Sequence, residues 1–415
     1  MNFLKKEEAM KKILSILIFS FFLLNAQELE TLLQVGRWPI DICWDSVHNK
    51  VFVVNQEATS RVWVINGENN QIIGTVENVG NQAQKIVFNP RTNRVYVGNL
   101  SSNNVAVIDA INNNLVTLVD VGGSVFDLTV DINNNLICAA TNNGVAVIDQ
   151  NNNLINLIPV QGNPVGIFYI SSTGKVYCLA SRMGQNGFMH VIDAANGTVE
   201  TSVNLLLDPQ TACYNPNNNK IYVSNYSSNR VSIIQLPNHN VSSVVVGTGP
   251  KGLAYSSSNN MIYVANSGSN NISIIDGSSN NVVGTISNIP NPTAIFYSPV
   301  SNRLYGNSYN GDTVYIINPQ NNSIVRRFQV GQGVNRFALN RTNQRVYATI
   351  SWGDKVAIFR DIVAIEEMSD YKIKISSFNS KEIYSIDGRK YNSYQLKKGV
   401  YLLKSNNTFK KIIIY

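Results

Sequence analysis

The sequence predicts an all-β protein: a β-propeller of eight four-stranded blades, closed by an N-terminal strand, with a small C-terminal β-module. Three observations predict it. A unit of about 42 residues recurs from Gln27 to Asp361, each unit holds four short apolar runs between turns, and the runs balance only if the first belongs to the last unit. A fixed period of this size marks stacked or ring-like repeats, and four strands per unit is the pattern of a propeller blade.

The plainest mark of each unit is a short strand with an aromatic or apolar second residue: KVFVVN, RVYVGN, LICAAT, KVYCLA, KIYVSN, MIYVAN, RLYGNS and RVYATI. Its first apolar positions (Val51, Val95, Leu136, Val176, Ile221, Ile262, Leu304, Val346) are spaced 44, 41, 40, 45, 41, 42 and 42 residues apart. We name the four runs of a unit A to D; in the unit opening at Pro250 they are PKGLAYS, MIYVAN, NISIID and VVGTIS. They are rich in Val, Ile and Tyr and bounded by Asn, Ser and Gly, as strands are. They are too short and too often broken for helices.

Strands A, B and C each number eight, with A beginning near Pro39, Ala83, Val125, Pro164, Pro209, Pro250, Pro292 and Val334. Only seven strands D follow a strand C, because the array ends at Asp361. The missing one is LETLLQVG (29–36), which matches LVTLVDVG (115–122). The N-terminal strand then completes the last blade and removes an exposed sheet edge. Seven blades is the alternative, if the weak unit 125–160 is not a blade.

Asparagine accounts for 60 of the 415 residues, one more than the 59 charged residues together. It concentrates in turns (NGENNQ, INNNL, DQNNNL, NPNNNK), where it tolerates the left-handed conformation and caps its own turn. The Asp ending several strands C (Asp109, Asp149, Asp193, Asp276) reads the same way.

The net charge of +7 is a property of the ends. Residues 1–26 contribute +2 and residues 362–415 contribute +5, while residues 27–361 hold 19 basic and 19 acidic side chains. Phosphate tracking needs clustered Lys and Arg, so single-stranded nucleic-acid binding is a remote alternative. Residues 1–26 read as a signal peptide: an apolar run, Ile13 to Leu24, follows Lys11-Lys12 and ends near Ala26. Twelve apolar residues are too few to span a bilayer. Met1 and Met10 both serve as possible starts. No other segment has the length or hydropathy of a transmembrane span, and export follows.

The units resemble the YVTN-repeat family of β-propellers on YVGN (96–99), YVSN (222–225), YVAN (263–266), VGTGP (246–250) and the NISIID run. The resemblance covers about 330 residues. It implies an exported bacterial or archaeal propeller, usually seven-bladed, of surface or periplasmic proteins.

Residues 362–415 form a separate module. IYSIDGRK, LKKGVYLLK and FKKIIIY resemble the C-terminal (type A) sorting domain of type IX secretion cargo from Bacteroidetes. The matching residues are Asp387, Gly388, Arg389, Lys398, Gly399, Tyr401, Lys410 and Lys411. The resemblance implies passage through the outer membrane with the type IX machinery as partner. The bland reading is a small β-sandwich-like module packed on the propeller.

Catalytic motifs are missing from the sequence: there is no GxSxG, HExxH or P-loop. The three histidines, His48, His190 and His239, lack ligand spacing, and Cys43, Cys138, Cys178 and Cys213 read as buried free thiols. No metal, cofactor or catalytic residue is assigned, and the expectation is a monomer that is not an enzyme. Any site falls where strands A ring the channel mouth. Two residues past their starts lie Asp41, Lys85, Asp127 and Arg336, with Arg37 and Trp38 just before the first. The predicted function is a surface-displayed binding scaffold for a protein or glycan partner. The enzyme alternative is a hydrolase or lactonase-like propeller, periplasmic or secreted, with its site at the channel mouth.

Overall fold

The computed structural model describes residues 27–362, 382–385, 390–391, 399–405 and 408–414. The predicted signal peptide lies outside them. The chain divides into two units, Met1–Ala364 and Ile365–Tyr415. The first holds eight antiparallel four-stranded sheets, each in the order A-B-C-D. The weak unit is a complete blade, Val125–Asp131, Leu136–Thr141, Gly144–Ile148 and Leu154–Ile158, so the count is eight. Strands A of successive blades contact one another on the inside of the ring. Strands B and C are buried almost throughout because a neighbouring blade covers each face, whereas strands D alternate at the outer rim.

The eighth blade is built from Val334–Asn340, Arg345–Ile350, Lys355–Asp361 and the N-terminal strand Gln27–Gln34. The last pairs antiparallel with Lys355–Asp361, from Gln27 opposite Asp361 to Gln34 opposite Lys355. A bulge at Leu29/Thr31 sets Glu30 against two guanidinium groups, Arg345 at 2.6 Å and Arg360 at 3.1 Å. The Asn70 amide of the first blade donates to the same carboxylate at 3.1 Å. One half-buried carboxylate thus joins three strands at the seam of the ring.

The recurring residues of strand B have structural work. Six tyrosines at its third position (Tyr96, Tyr177, Tyr222, Tyr263, Tyr305, Tyr347) are fully buried. Three of them reach the C–D turn of the next blade and donate to a left-handed Asn: Tyr222 to Asn280 (2.9 Å), Tyr263 to Asn322 (2.8 Å) and Tyr347 to Asn70 (2.8 Å). In the first blade Phe52 has no hydroxyl, and the Lys50 ammonium takes the equivalent Asn113 oxygen at 2.9 Å. Many asparagines hold left-handed turn positions, as expected, and those ending strand B (Asn55, Asn99, Asn225, Asn266, Asn307) have a second role. They lie in strands, wholly buried. Asn99 Nδ2 donates to the Val79 carbonyl at 2.7 Å and Asn55 Nδ2 to the Arg37 carbonyl, tying strand B to the incoming D–A loop.

In the second unit one sheet runs in the order Lys390–Tyr391, Glu382–Ser385, Gly399–Ser405, Thr408–Ile414. Tyr401 pairs with Ile412, Leu402 with Lys411 and Leu403 with Lys410. Asp387, Gly388, Arg389 and Lys398 lie outside the described residues.

Candidate functional site

The site residues are positioned by β-bulges. Register shifts fall between Pro39 and Asp41, Ala83 and Lys85, Val125 and Asp127, and Val334 and Phe337. A bulge re-aims the side chain that follows it, and the three charged residues of the first three blades meet there. Lys85 Nζ stands 3.6 Å from Asp41 and 3.5 Å from Asp127, bridging three blades. Each carboxylate also accepts a backbone N–H of the next strand A: Ile86 on Asp41 at 3.0 Å, Ile167 on Asp127 at 2.9 Å. The Asp41 charge, and after it that of Asp127, raises the Lys85 pKa against the effect of burial, while the Arg336 charge acts the other way. Lys85 therefore stays an ammonium.

The four equivalent positions of the remaining blades are Gly166, Thr211, Gly252 and Ala294. The ring is thus polarised into a charged half (Arg336, Asp41, Lys85, Asp127) and an uncharged half. Gly252 is obligatory, since a Cβ there would lie 2.8 Å from the Thr293 carbonyl of the next blade.

Arg37 and Trp38 lie at the rim, on the loop entering the first blade, with the guanidinium 5.1 Å from the indole centroid. Both are exposed. D–A and B–C loops share one end of the ring because the strands alternate in direction. The two kinds of loop are joined by backbone bonds, such as Gln56 N–H to the Trp38 carbonyl at 2.9 Å and Ser351 N–H to the Gly333 carbonyl at 2.9 Å. The same face carries residues that the sequence reading missed. Trp352 stands exposed on the last B–C loop, with Tyr309 packed edge-on against it at 5.2 Å. Tyr226 stands on the fifth blade's B–C loop with the Lys251 ammonium 5.4 Å above its ring. Their common B–C position, directly after strand B, was the available signal.

The histidines serve the scaffold. His190 is buried, with Nδ1 2.8 Å from the Ser202 hydroxyl and Nε2 2.8 Å from the Gln161 carbonyl. Burial pushes its pKa down. His48 Nδ1 is 2.7 Å from Asp45. The four cysteines are free; Cys138 and Cys178 are buried, Cys43 and Cys213 half-buried. Burial, with Asp41 and Asp45 nearby, pushes the Cys43 thiol up and keeps it unreactive. Among the described residues no three His, Cys, Asp or Glu side chains converge as metal ligands. Nor is any described helix long and apolar enough to cross a membrane.

No family model and no curated protein matches the sequence. Solved structures do match in fold. The hydrazine synthase of Kuenenia stuttgartiensis superposes with a TM-score of 0.56 at 17% identity, over 68% of this chain and 96% of that one. The dihydro-heme d1 dehydrogenase NirN superposes with a TM-score of 0.61 at 16% identity, over 78% of this chain and 73% of that one. Identity this low extends the likeness to the fold alone. Both neighbours are enzymes by their descriptions, and this corrects the expectation that the chain is not an enzyme. Catalytic motifs absent from a propeller sequence are no ground for excluding catalysis. What the comparison establishes is a propeller, here with eight blades.

Proposed function

We propose that the chain is an exported ligand-binding propeller of the YVTN-repeat type, taking a protein or glycan at the face formed by its D–A and B–C loops. The observation that carries the reading is the meeting of Lys85 with Asp41 and Asp127 at the channel mouth, beneath a rim that exposes Arg37 and Trp38. Alternating fixed charges orient a polar ligand, and exposed aromatic rings supply its contact area. Turnover of a bound ligand is compatible with this reading.

Export rests on residues 1–26, and delivery to the cell surface through type IX secretion on residues 362–415. Crosslinking mass spectrometry on intact cells tests the face: crosslinks are expected on residues 36–38, 309–312 and 351–354. Crosslinks confined to the A–B and C–D turns at the other end of the ring would overturn it. Fractionation of cells carrying the chain with and without residues 362–415 tests delivery. Surface display that persists without those residues would refute the sorting role.

A further inference from the structure

From the conformation of Trp38 we infer that the rim formed by Trp38 and Trp352 is a carbohydrate-stacking subsite for a neutral glycan. The inference rests on the binding-face reading above and names its ligand class.

The residue just before strand A is left-handed in blade after blade: Gln82, Asp208, Gly249, Asn291 and Gly333 all have positive φ. Gly, Asn and Asp are the residues that tolerate this conformation. In the first blade the place is held by Trp38 at φ 48°. A bulky aromatic in that region is strained, and strain of this kind collects at functional sites. The Arg37 guanidinium stands 5.1 Å from the indole centroid, yet Trp38 remains 48% exposed. It is nevertheless locked: its N–H donates to Asp354 Oδ1 at 3.0 Å and its carbonyl accepts the Gln56 N–H at 2.9 Å.

The second indole is held as firmly. Trp352 lies two residues before Asp354, braced edge-on by Tyr309, and is 51% exposed. Gly333 makes room for it, because a Cβ there would lie 2.8 Å from the Trp352 nitrogen and 3.0 Å from its Cγ.

Area and chemistry choose the ligand. Half of each indole amounts to roughly 250 Å² together, far below the ~800 Å² per partner of a stable protein interface. It suits one or two sugar rings, whose aliphatic C–H groups carry the partial positive charge that the negative face of an indole attracts. Below the indoles the charged arc of Arg336, Asp41, Lys85 and Asp127 sums to zero. A neutral polyhydroxyl ligand fits this surface.

The test is calorimetric titration of the full chain with a panel of neutral oligosaccharides: cello-, chito-, malto-, manno- and xylo-series. Wild type is expected to bind at least one. Trp38→Ala and Trp352→Ala are each expected to weaken that affinity about tenfold, the loss of one stacking contact, with melting temperature kept, and Trp352→Phe to retain most of it. Binding unchanged in both alanine variants overturns the inference. Wild type that binds none of the panel at millimolar concentration also overturns it. The crosslinks described above separate the two readings: partner crosslinks on this face would then leave the face standing without the glycan, and crosslinks elsewhere would remove both.

Discussion

The backbone N–H of Trp38 donates to Oδ1 of Asp354 at 3.0 Å, joining the first blade's entry loop to the last blade's B–C loop across the seam of the ring. The same Asp354 accepts the Val35 N–H at 3.1 Å and the Gln34 side chain at 2.8 Å through its carbonyl. Closure of the ring and presentation of the exposed indole are therefore one piece of construction.

Replacing Trp38 by Asn is expected to stabilise the fold while removing the indole. Asn tolerates a φ near 50° that costs a bulky residue ~1–2 kcal/mol, and the lost Arg37 stacking offsets ~0.5–1 kcal/mol of that. A net gain of about 0.5–1 kcal/mol should appear in urea unfolding. A loss larger than 1 kcal/mol would show that Trp38 is a packing residue.

The seam is where the first and last strands of the ring pair. Glu30→Gln leaves Arg345 without its carboxylate, while Arg360 keeps Glu28 at 3.3 Å, and the stranded Arg345 guanidinium costs about 2 kcal/mol. Limited proteolysis should then cut first in the N-terminal strand. Unchanged protection would mean that backbone pairing alone closes the ring.

The channel triad has a signature at high pH. The folded state raises the Lys85 pKa, so its contribution is complete below the unfolded value near 10.5 and fades as pH rises through the folded one. Lys85→Met should cost about 1–2 kcal/mol at neutral pH, since it leaves Asp41 and Asp127 without their shared counter-ion. The gap between wild type and variant should narrow only in the alkaline range. A gap already closing near neutrality would contradict the pairing.

Acid loosens the ring elsewhere. Its hydrogen bond from Lys175 holds the Asp193 pKa down at about 2, so its contribution is present above the unfolded value near 4 and is lost as pH falls toward 2. Because the pair lies near the surface, about 1 kcal/mol is at stake. Asp193→Asn should flatten that part of the stability profile, and an unaltered acid limb would assign it to other carboxylates.

Much of this was legible in the sequence, for physical reasons. A blade needs four strands, so the orphan LETLLQVG had to complete the last one. The spacing from each strand-A start also brought Asp41, Lys85 and Asp127 to one place, since equivalent residues of a ring share a height. What the sequence hides is non-local. Trp352 gains its meaning from Gly333 and Tyr309, which neighbouring loops supply. The Trp38 N–H is anchored by Asp354, 316 residues away. The Asn that ends strand B looks like turn chemistry until burial shows it tying that strand to a loop.

Hydroxyl-radical footprinting of the full chain, with and without an oligosaccharide that it binds, tests the central claim most directly. The account predicts that Trp38, Trp352 and Tyr309 become protected, while Val47 on the opposite A–B turn, 53% exposed, does not change. Protection of the A–B and C–D turns with the indoles left reactive would contradict it.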